Sequence, residues 1–166
     1  MAGKNIYLIG FMGAGKTTVG KELAKKTGYV FIDLDEYIVE KTGETIPAIF
    51  EKHGEEEFRR LEKVSLAELT ESGCIIATGG GIVESQESVS LMKEKGFTVY
   101  LESPFNTLYD RIKEDTNRPL TAQGAAALSA RFNHRLPLYE QAEYTVHTEK
   151  LGVDEIVEMI CRRYDG

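Results

Sequence analysis

Short hydrophobic runs alternate along the chain with segments of helical periodicity. Five runs rich in β-branched and aromatic residues predict strands at 6–9, 30–32, 74–77, 98–101 and 144–146. Their apolar residues are consecutive, as in strands that helices cover on both faces. Helices are predicted at 16–26, 34–41, 46–52, 55–71, 84–95, 104–114, 124–141 and 153–163. This alternation predicts an α/β sandwich with a central parallel sheet.

The size and composition predict one globular domain over residues 1–166, of 18.5 kDa. No apolar run approaches the roughly 20 residues that cross a bilayer, and the first residues do not resemble a signal peptide. We therefore expect a soluble, cytoplasmic protein. The net charge of −7 argues against a nucleic-acid or membrane partner, because such binding needs a basic surface.

One window departs from this acidic average. Residues 111–135 hold five basic and two acidic side chains, and four of the five cations are arginines: Arg111, Arg118, Arg131 and Arg135. Arginine suits two-point contact with phosphate and carboxylate groups, so the window predicts anion binding. A solvated helix that carries arginines is the alternative.

Residues 10–17 read GFMGAGKT, which fits the P-loop pattern G-x-x-x-x-G-K-[ST]. The motif follows the first predicted strand and opens the first predicted helix, as a P-loop must. Its backbone N–H groups would surround a phosphate, Lys16 would neutralise the β- and γ-phosphates, and the Thr17 hydroxyl would ligate Mg²⁺. The predicted nucleotide-binding residues are Gly13, Ala14, Gly15, Lys16, Thr17 and Thr18.

Two carboxylates follow the second predicted strand. Ligands bind at the carboxyl ends of parallel strands, so Asp33 would face the P-loop magnesium and Asp35 would lie further out, towards an acceptor. Alternatively, Asp35 is only an acidic residue favoured at a helix N-terminus.

Further along the chain, Arg59 and Glu62 stand three residues apart on a predicted helix, with Arg60 on its far side. They form either a surface ion pair or a pair in which Glu62 orients Arg59 towards an anion. Three glycines, 79–81, follow the third strand, where a backbone can approach a ligand closely. Arg118 lies in an irregular segment and is interpreted as a lid arginine over the phosphates.

These motifs, in this order and with Arg135-Leu136-Pro137-Leu138-Tyr139 near the end, resemble the shikimate kinases over almost the whole chain. The resemblance implies phosphoryl transfer from ATP to the 3-hydroxyl of shikimate, in aromatic amino-acid biosynthesis. It also implies an α/β fold of the P-loop, nucleoside monophosphate kinase type, with a doubly wound parallel sheet of five strands in the order 2-3-1-4-5. A helical substrate-binding region at about 34–61 and a lid at about 115–123 are implied as well.

The resemblance assigns roles to individual positions. Lys16, Asp35 and Arg118 would be catalytic, and Thr17 with Asp33 would hold Mg²⁺. Shikimate would contact residues on four segments: Asp35, Arg59, Gly79, Gly80, Gly81 and Arg135. Arg111 would stack on adenine, Arg118 would also contact the nucleotide, and Glu62 would orient Arg59.

Two other functions stay open. One is another small-metabolite kinase with the same carboxylate site. The other is a nucleotide sensor or GTP switch without catalysis, although the chain lacks an Asn-Lys-x-Asp guanine motif and keeps the lysine, threonine and aspartates. The protein is expected to be a monomer.

Overall fold

The computed structural model describes residues 3–114 and 124–165. Arg118 and the predicted lid, 115–123, lie outside the described residues. The strands are β1 (Asn5–Ile9), β2 (Val30–Asp33), β3 (Cys74–Ala77), β4 (Gly96–Glu102) and β5 (Tyr144–His147). The helices are α1 (Lys16–Thr27), α2 (Leu34–Thr42), α3 (Ile46–Glu68), α4 (Gln86–Lys95), α5 (Phe105–Glu114), α6 (Gly124–Tyr139) and α7 (Val153–Asp165).

The five strands form one parallel sheet in the order β2-β3-β1-β4-β5, as predicted. In the central strand β1 every residue is buried, and the same holds for β3. Helices therefore cover both faces of the sheet at its centre, which explains why these strands are apolar at consecutive positions. In the described part of the chain, no helix has both the length and the apolar character needed to cross a membrane.

Most helix ends lie within three residues of the sequence prediction, and two regions need comment. α3 spans the helices predicted at 46–52 and 55–71, with a kink at the non-helical residue Gly54 where the break was predicted (φ 86°, ψ 169°). The helix predicted from residue 84 is wrong at its start, because Ile82–Glu84 form a 3₁₀ turn and α4 begins at Gln86. The Ser85 hydroxyl caps α4 by accepting a hydrogen bond from the Ser88 N–H at 3.3 Å.

The parallel order brings three chemically distinctive segments to one edge of the sheet. The P-loop leaves the carboxyl end of β1, Asp33 ends β2, and glycines 79–81 follow β3. Since β2, β3 and β1 are neighbours, these segments lie next to one another at the edge where ligands bind in such folds.

Candidate active site

The P-loop leads directly into the N-terminus of α1. Gly13 and Gly15 have φ of 83° and 94°, a conformation that favours glycine, and Gly15 is the N-cap of α1. Among the described residues no side chain caps this end, and its first turn holds no acidic residue, so its N–H groups suit an anion. Lys16 extends along the same loop, where Nζ donates to the Gly10 carbonyl and, at 3.2 Å, to the Phe11 carbonyl.

A cavity of about 420 Å³ opens over this loop. Polar P-loop atoms form one wall and aliphatic side chains from the C-terminal part form another, an arrangement that suits phosphates at one end and a base at the other. Arg111 lies at its border, where Nη1 donates to the Gly13 carbonyl at 2.8 Å. The lining residues include Met12, Gly13, Ala14, Gly15, Lys16, Thr17, Thr18, Arg111, Thr148, Leu151 and Ile156.

Thr17 and Asp33 form an oxygen pair beside the P-loop. The Thr17 hydroxyl donates to Asp33 Oδ2 at 3.4 Å, while Asp33 Oδ1 accepts from the Glu36 N–H at 3.2 Å and so caps α2. Both are hard oxygen donors of the kind Mg²⁺ prefers. Among residues 3–114 and 124–165, no three His, Cys, Asp or Glu side chains group together as a metal site. A cation held by Thr17 and Asp33 would take phosphate oxygens and water as its further ligands.

A second cavity, of about 570 Å³, lies beside the first and is lined by charged and aromatic side chains. Met12 lines both cavities. The predicted acceptor-site residues all converge on the second one: Asp35, Arg59, Gly79, Gly80, Gly81 and Arg135. The residues that the sequence analysis did not single out include Met12, Phe50, Phe58, Glu55, Glu84 and His134.

Arg59 and Glu62 form a close pair on α3. Arg59 Nη1 donates to Glu62 Oε1 at 2.7 Å, and the Glu62 side chain is only 2% exposed. Burial raises the pKa of Glu62, and the neighbouring Arg59 charge offsets part of that rise. Arg60 turns away: it pairs with Glu57 and is 58% exposed. The helical spacing therefore placed these side chains correctly, and a purely exposed ion pair is ruled out for Arg59.

Arg135 enters the cavity from α6 and is 7% exposed. Its Nε donates to Glu84 Oε2 at 2.9 Å, and its Cζ lies 5.9 Å from the centre of the Phe11 ring. Glu84 and Arg135 form this pair although 51 positions separate them in the sequence. No local spacing in the sequence pointed to this pair.

Glycines 79–81 form a wall of the second cavity and lie close to its charged side chains. A Cβ on Gly79 would stand 3.1 Å from Glu62 Oε2 and 3.2 Å from Asp35 Oδ1. One on Gly80 would stand 3.2 Å from Arg135 Nη1, and one on Gly81 would overlap the Arg59 guanidinium. The lack of side chains at 79–81 thus leaves room for two carboxylates and two guanidinium groups.

Tyr139 secures the middle of this glycine segment. Its hydroxyl donates to the Gly80 carbonyl at 2.6 Å, and its ring stacks on that of Tyr100 with centroids 5.0 Å apart. Burial raises the pKa of Tyr139 to about 12, so the hydroxyl keeps its proton and remains a donor at neutral pH. The residue belongs to the motif Arg135-Leu136-Pro137-Leu138-Tyr139, which was the only sequence signal for it.

Phe50 and Phe58 provide an apolar wall, with ring centroids 4.8 Å apart. Phe50 is among the few large apolar side chains that the described part of the chain exposes. An apolar wall facing charged side chains suits a small ligand with an apolar face and an anionic group.

The parallel sheet, the P-loop and the adjoining arginine-lined cavity together define a P-loop kinase that acts on a small acidic molecule. The comparisons with known proteins narrow this class. The family model for shikimate kinase matches residues 12–165. The chain belongs to the shikimate kinase family.

Similar proteins align along nearly their full lengths. A shikimate kinase of Thermodesulfovibrio yellowstonii is 41% identical, with 98% of this chain and 95% of that protein covered. One of Bacillus cytotoxicus is 44% identical, with 97% and 98% covered. The solved structure of a shikimate kinase from Acinetobacter baumannii, in complex with shikimate, has a TM-score of 0.91 and 41% identity, covering 97% of this chain and 92% of that one.

Proposed function

We infer that the protein phosphorylates the 3-hydroxyl of shikimate with ATP and forms shikimate 3-phosphate, a step in the synthesis of aromatic amino acids. Family membership supports this activity. The observation in the structure that carries it is the meeting of two cavities at Met12, one over the P-loop and the other between Asp35, Arg59 and Arg135. Such neighbours can bring a phosphoryl donor and an acceptor hydroxyl together.

The carboxylate of shikimate is proposed to bind Arg59 and Arg135. A planar guanidinium grips a carboxylate through two parallel hydrogen bonds, and both arginines line the same cavity. Glycines 79–81 would form the wall along the substrate, and Phe50 with Phe58 would cover its ring.

Asp35 is proposed to contact the acceptor hydroxyl. It lines the acceptor cavity close to Gly79, next to the carboxyl end of β2. A carboxylate there can accept the hydrogen bond of the attacking hydroxyl and hold one of the oxygen lone pairs towards the phosphorus. It can also receive the proton as the P–O bond forms.

The P-loop would hold the phosphates of ATP. During transfer, negative charge moves from the γ-phosphate to the β–γ bridging oxygen, and the P-loop N–H groups and Lys16 would stabilise that charge more in the transition state than in the ground state. Thr17 and Asp33 would hold Mg²⁺, which supplies further neutralisation of the phosphate charge when bound. Arg118 would act from the lid, and Arg111 would lie against the base.

A coupled assay of ADP release tests the activity directly. With ATP and Mg²⁺, we expect ADP to form at an enzymatic rate when shikimate is added and at a negligible rate when it is absent. Gluconate, another polyhydroxylated acid, is the control acceptor. Equal rates with gluconate would favour a different small-metabolite kinase, and shikimate-independent nucleotide binding without turnover would favour a sensor.

We also propose that the protein works as a monomer in the cytoplasm. The acidic net charge of −7 gives no support for a nucleic-acid partner. ATP as co-substrate agrees with a cytoplasmic location.

A further inference from the structure

Glu84 occupies a distinctive place at the border of the acceptor cavity. It ends the 3₁₀ turn that follows glycines 79–81, and both of its carboxylate oxygens are directed at α6. Oε2 accepts from Arg135 Nε at 2.9 Å, and Oε1 lies 3.6 Å from Nε2 of His134. The side chain therefore joins the wall made by the glycines to the helix that carries Arg135.

The bond to Glu84 involves one particular edge of the Arg135 guanidinium. A guanidinium can present a carboxylate with either its Nε side or its two Nη groups. Glu84 takes the Nε side, while Nη1 lies 3.2 Å from the point where a Cβ on Gly80 would stand. The Nη groups are therefore turned towards the glycine wall of the cavity.

Burial makes this bond more consequential than a surface ion pair. Arg135 is 7% exposed. A buried cation that loses its partner is destabilised by desolvation, which favours a change in its side-chain conformation. The Phe11 ring faces the guanidinium but fixes no rotation within its plane. Glu84 supplies a directional contact at the Nε edge, and the Tyr139 hydroxyl is a further hydrogen-bonding neighbour of the guanidinium.

We propose that Glu84 is a positioning residue for shikimate binding, which holds the Nε edge of Arg135 so that the Nη edge receives the substrate carboxylate. The proposal rests on the function proposed for Arg135 above. Each arginine then has a carboxylate partner, Glu62 at Nη1 of Arg59 and Glu84 at Nε of Arg135. Glu84 itself does not need to touch the reacting atoms.

Steady-state kinetics of Glu84→Ala test the proposal. We expect the KM for shikimate to rise about tenfold, which equals about 1.4 kcal/mol and lies in the range of couplings between residues in contact. The kcat and the KM for ATP should stay within about twofold, since the P-loop is untouched. Glu84→Gln keeps an acceptor oxygen for the charged Arg135 Nε–H and loses only the carboxylate charge, so the KM for shikimate should lie between those of the wild type and Glu84→Ala.

Glu87→Ala is the matched control. Glu87 is 81% exposed on α4, its nearest cation is Lys63 at 3.6 Å, and its removal changes the net charge by the same amount. We expect wild-type kinetics for this variant. Thermal unfolding of all variants shows whether any loss reflects the fold, since a purely structural role would lower stability and affect both substrates.

Three outcomes would overturn the proposal. A lower shikimate KM in Glu84→Ala would mean that Glu84 competes with the substrate for Arg135. An unchanged KM would mean that Arg135 needs no support, and equal losses for both substrates would mean a structural role. Arg135→Lys, measured in parallel, distinguishes a failure of the role of Glu84 from a failure of the proposed role of Arg135. If the KM for shikimate is unchanged in Arg135→Lys, the role proposed for Arg135 is wrong.

Discussion

Gly81→Ala is expected to weaken shikimate binding while leaving the fold intact. A Cβ at this position would stand 2.7 Å from Cζ of Arg59 and nearer still to Nη2. Ordinary contact for a Cβ begins at 3.4 Å, so Cζ has to retreat by at least about 0.7 Å and Nη2 by more. This shift takes the guanidinium out of line with a bound carboxylate.

The cost should fall on binding because of which atoms must move. The obstructing atoms are the far end of a flexible side chain, and the backbone of Gly81, at φ −92° and ψ 1°, is accessible to alanine. We therefore expect the free energy of unfolding to change by less than about 1 kcal/mol. Losing one hydrogen bond between charged groups should weaken shikimate binding by about 1.5–3 kcal/mol, or about 10- to 150-fold.

Calorimetric titration with shikimate measures the affinity, and thermal unfolding measures the stability. Gly152→Ala is the control, because a Cβ there meets no atom within 4 Å and the glycine has no left-handed φ. Wild-type affinity in Gly81→Ala would refute the reasoning, since the methyl group would then not have displaced the Arg59 guanidinium from a shikimate-binding position. A parallel collapse of stability would refute it as well, because the loss would lie in the fold.

Three further predictions concern other parts of the site. Lys16→Met should fold normally and lose at least about 10²-fold in kcat, as enzymes do when a group that stabilises transition-state charge is removed; retention of a tenth of the activity would contradict this. Asp33→Asn should raise the Mg²⁺ concentration needed for activity and keep the cap of α2, since asparagine caps as well as aspartate. Asp35→Asn should instead lower kcat at saturating Mg²⁺. Identical Mg²⁺ titrations for the two variants would refute these separate roles. Arg59→Lys should weaken shikimate binding by about 1.5–3 kcal/mol and Arg60→Lys by less than about 0.5 kcal/mol in calorimetric titrations, and a larger loss at Arg60 would reverse the assignment.

Much of the architecture could be predicted because it depends on local patterns. Consecutive apolar residues identified the buried strands. The P-loop motif predicted that a strand precedes it and a helix follows it. The strand order came from the family resemblance and is confirmed. The helix starting at residue 84 was misplaced, although Ser85 three residues before Ser88 was a readable N-cap signal.

The candidate site was predictable where its contacts are local or motif-bound. Arg59 and Glu62 are one helical turn apart, so their pairing followed from spacing. Glu84 and Arg135 meet only because the 3₁₀ turn packs beside α6, and no periodicity in one sequence encodes such a distant contact. The roles of the individual residues stay predictions until the variants are measured.

Met12 has a consequence for inhibitor design. It is the P-loop side chain that both cavities share, and methionine is unbranched and flexible. A compound anchored among the P-loop amides and extended past the phosphate end would meet this thioether before it reached the arginines. A bisubstrate analogue, with a nucleotide at one end and a cyclic acid at the other, therefore has to carry its linker over Met12, and a slim linker that leaves the side chain free to change rotamer suits that crossing.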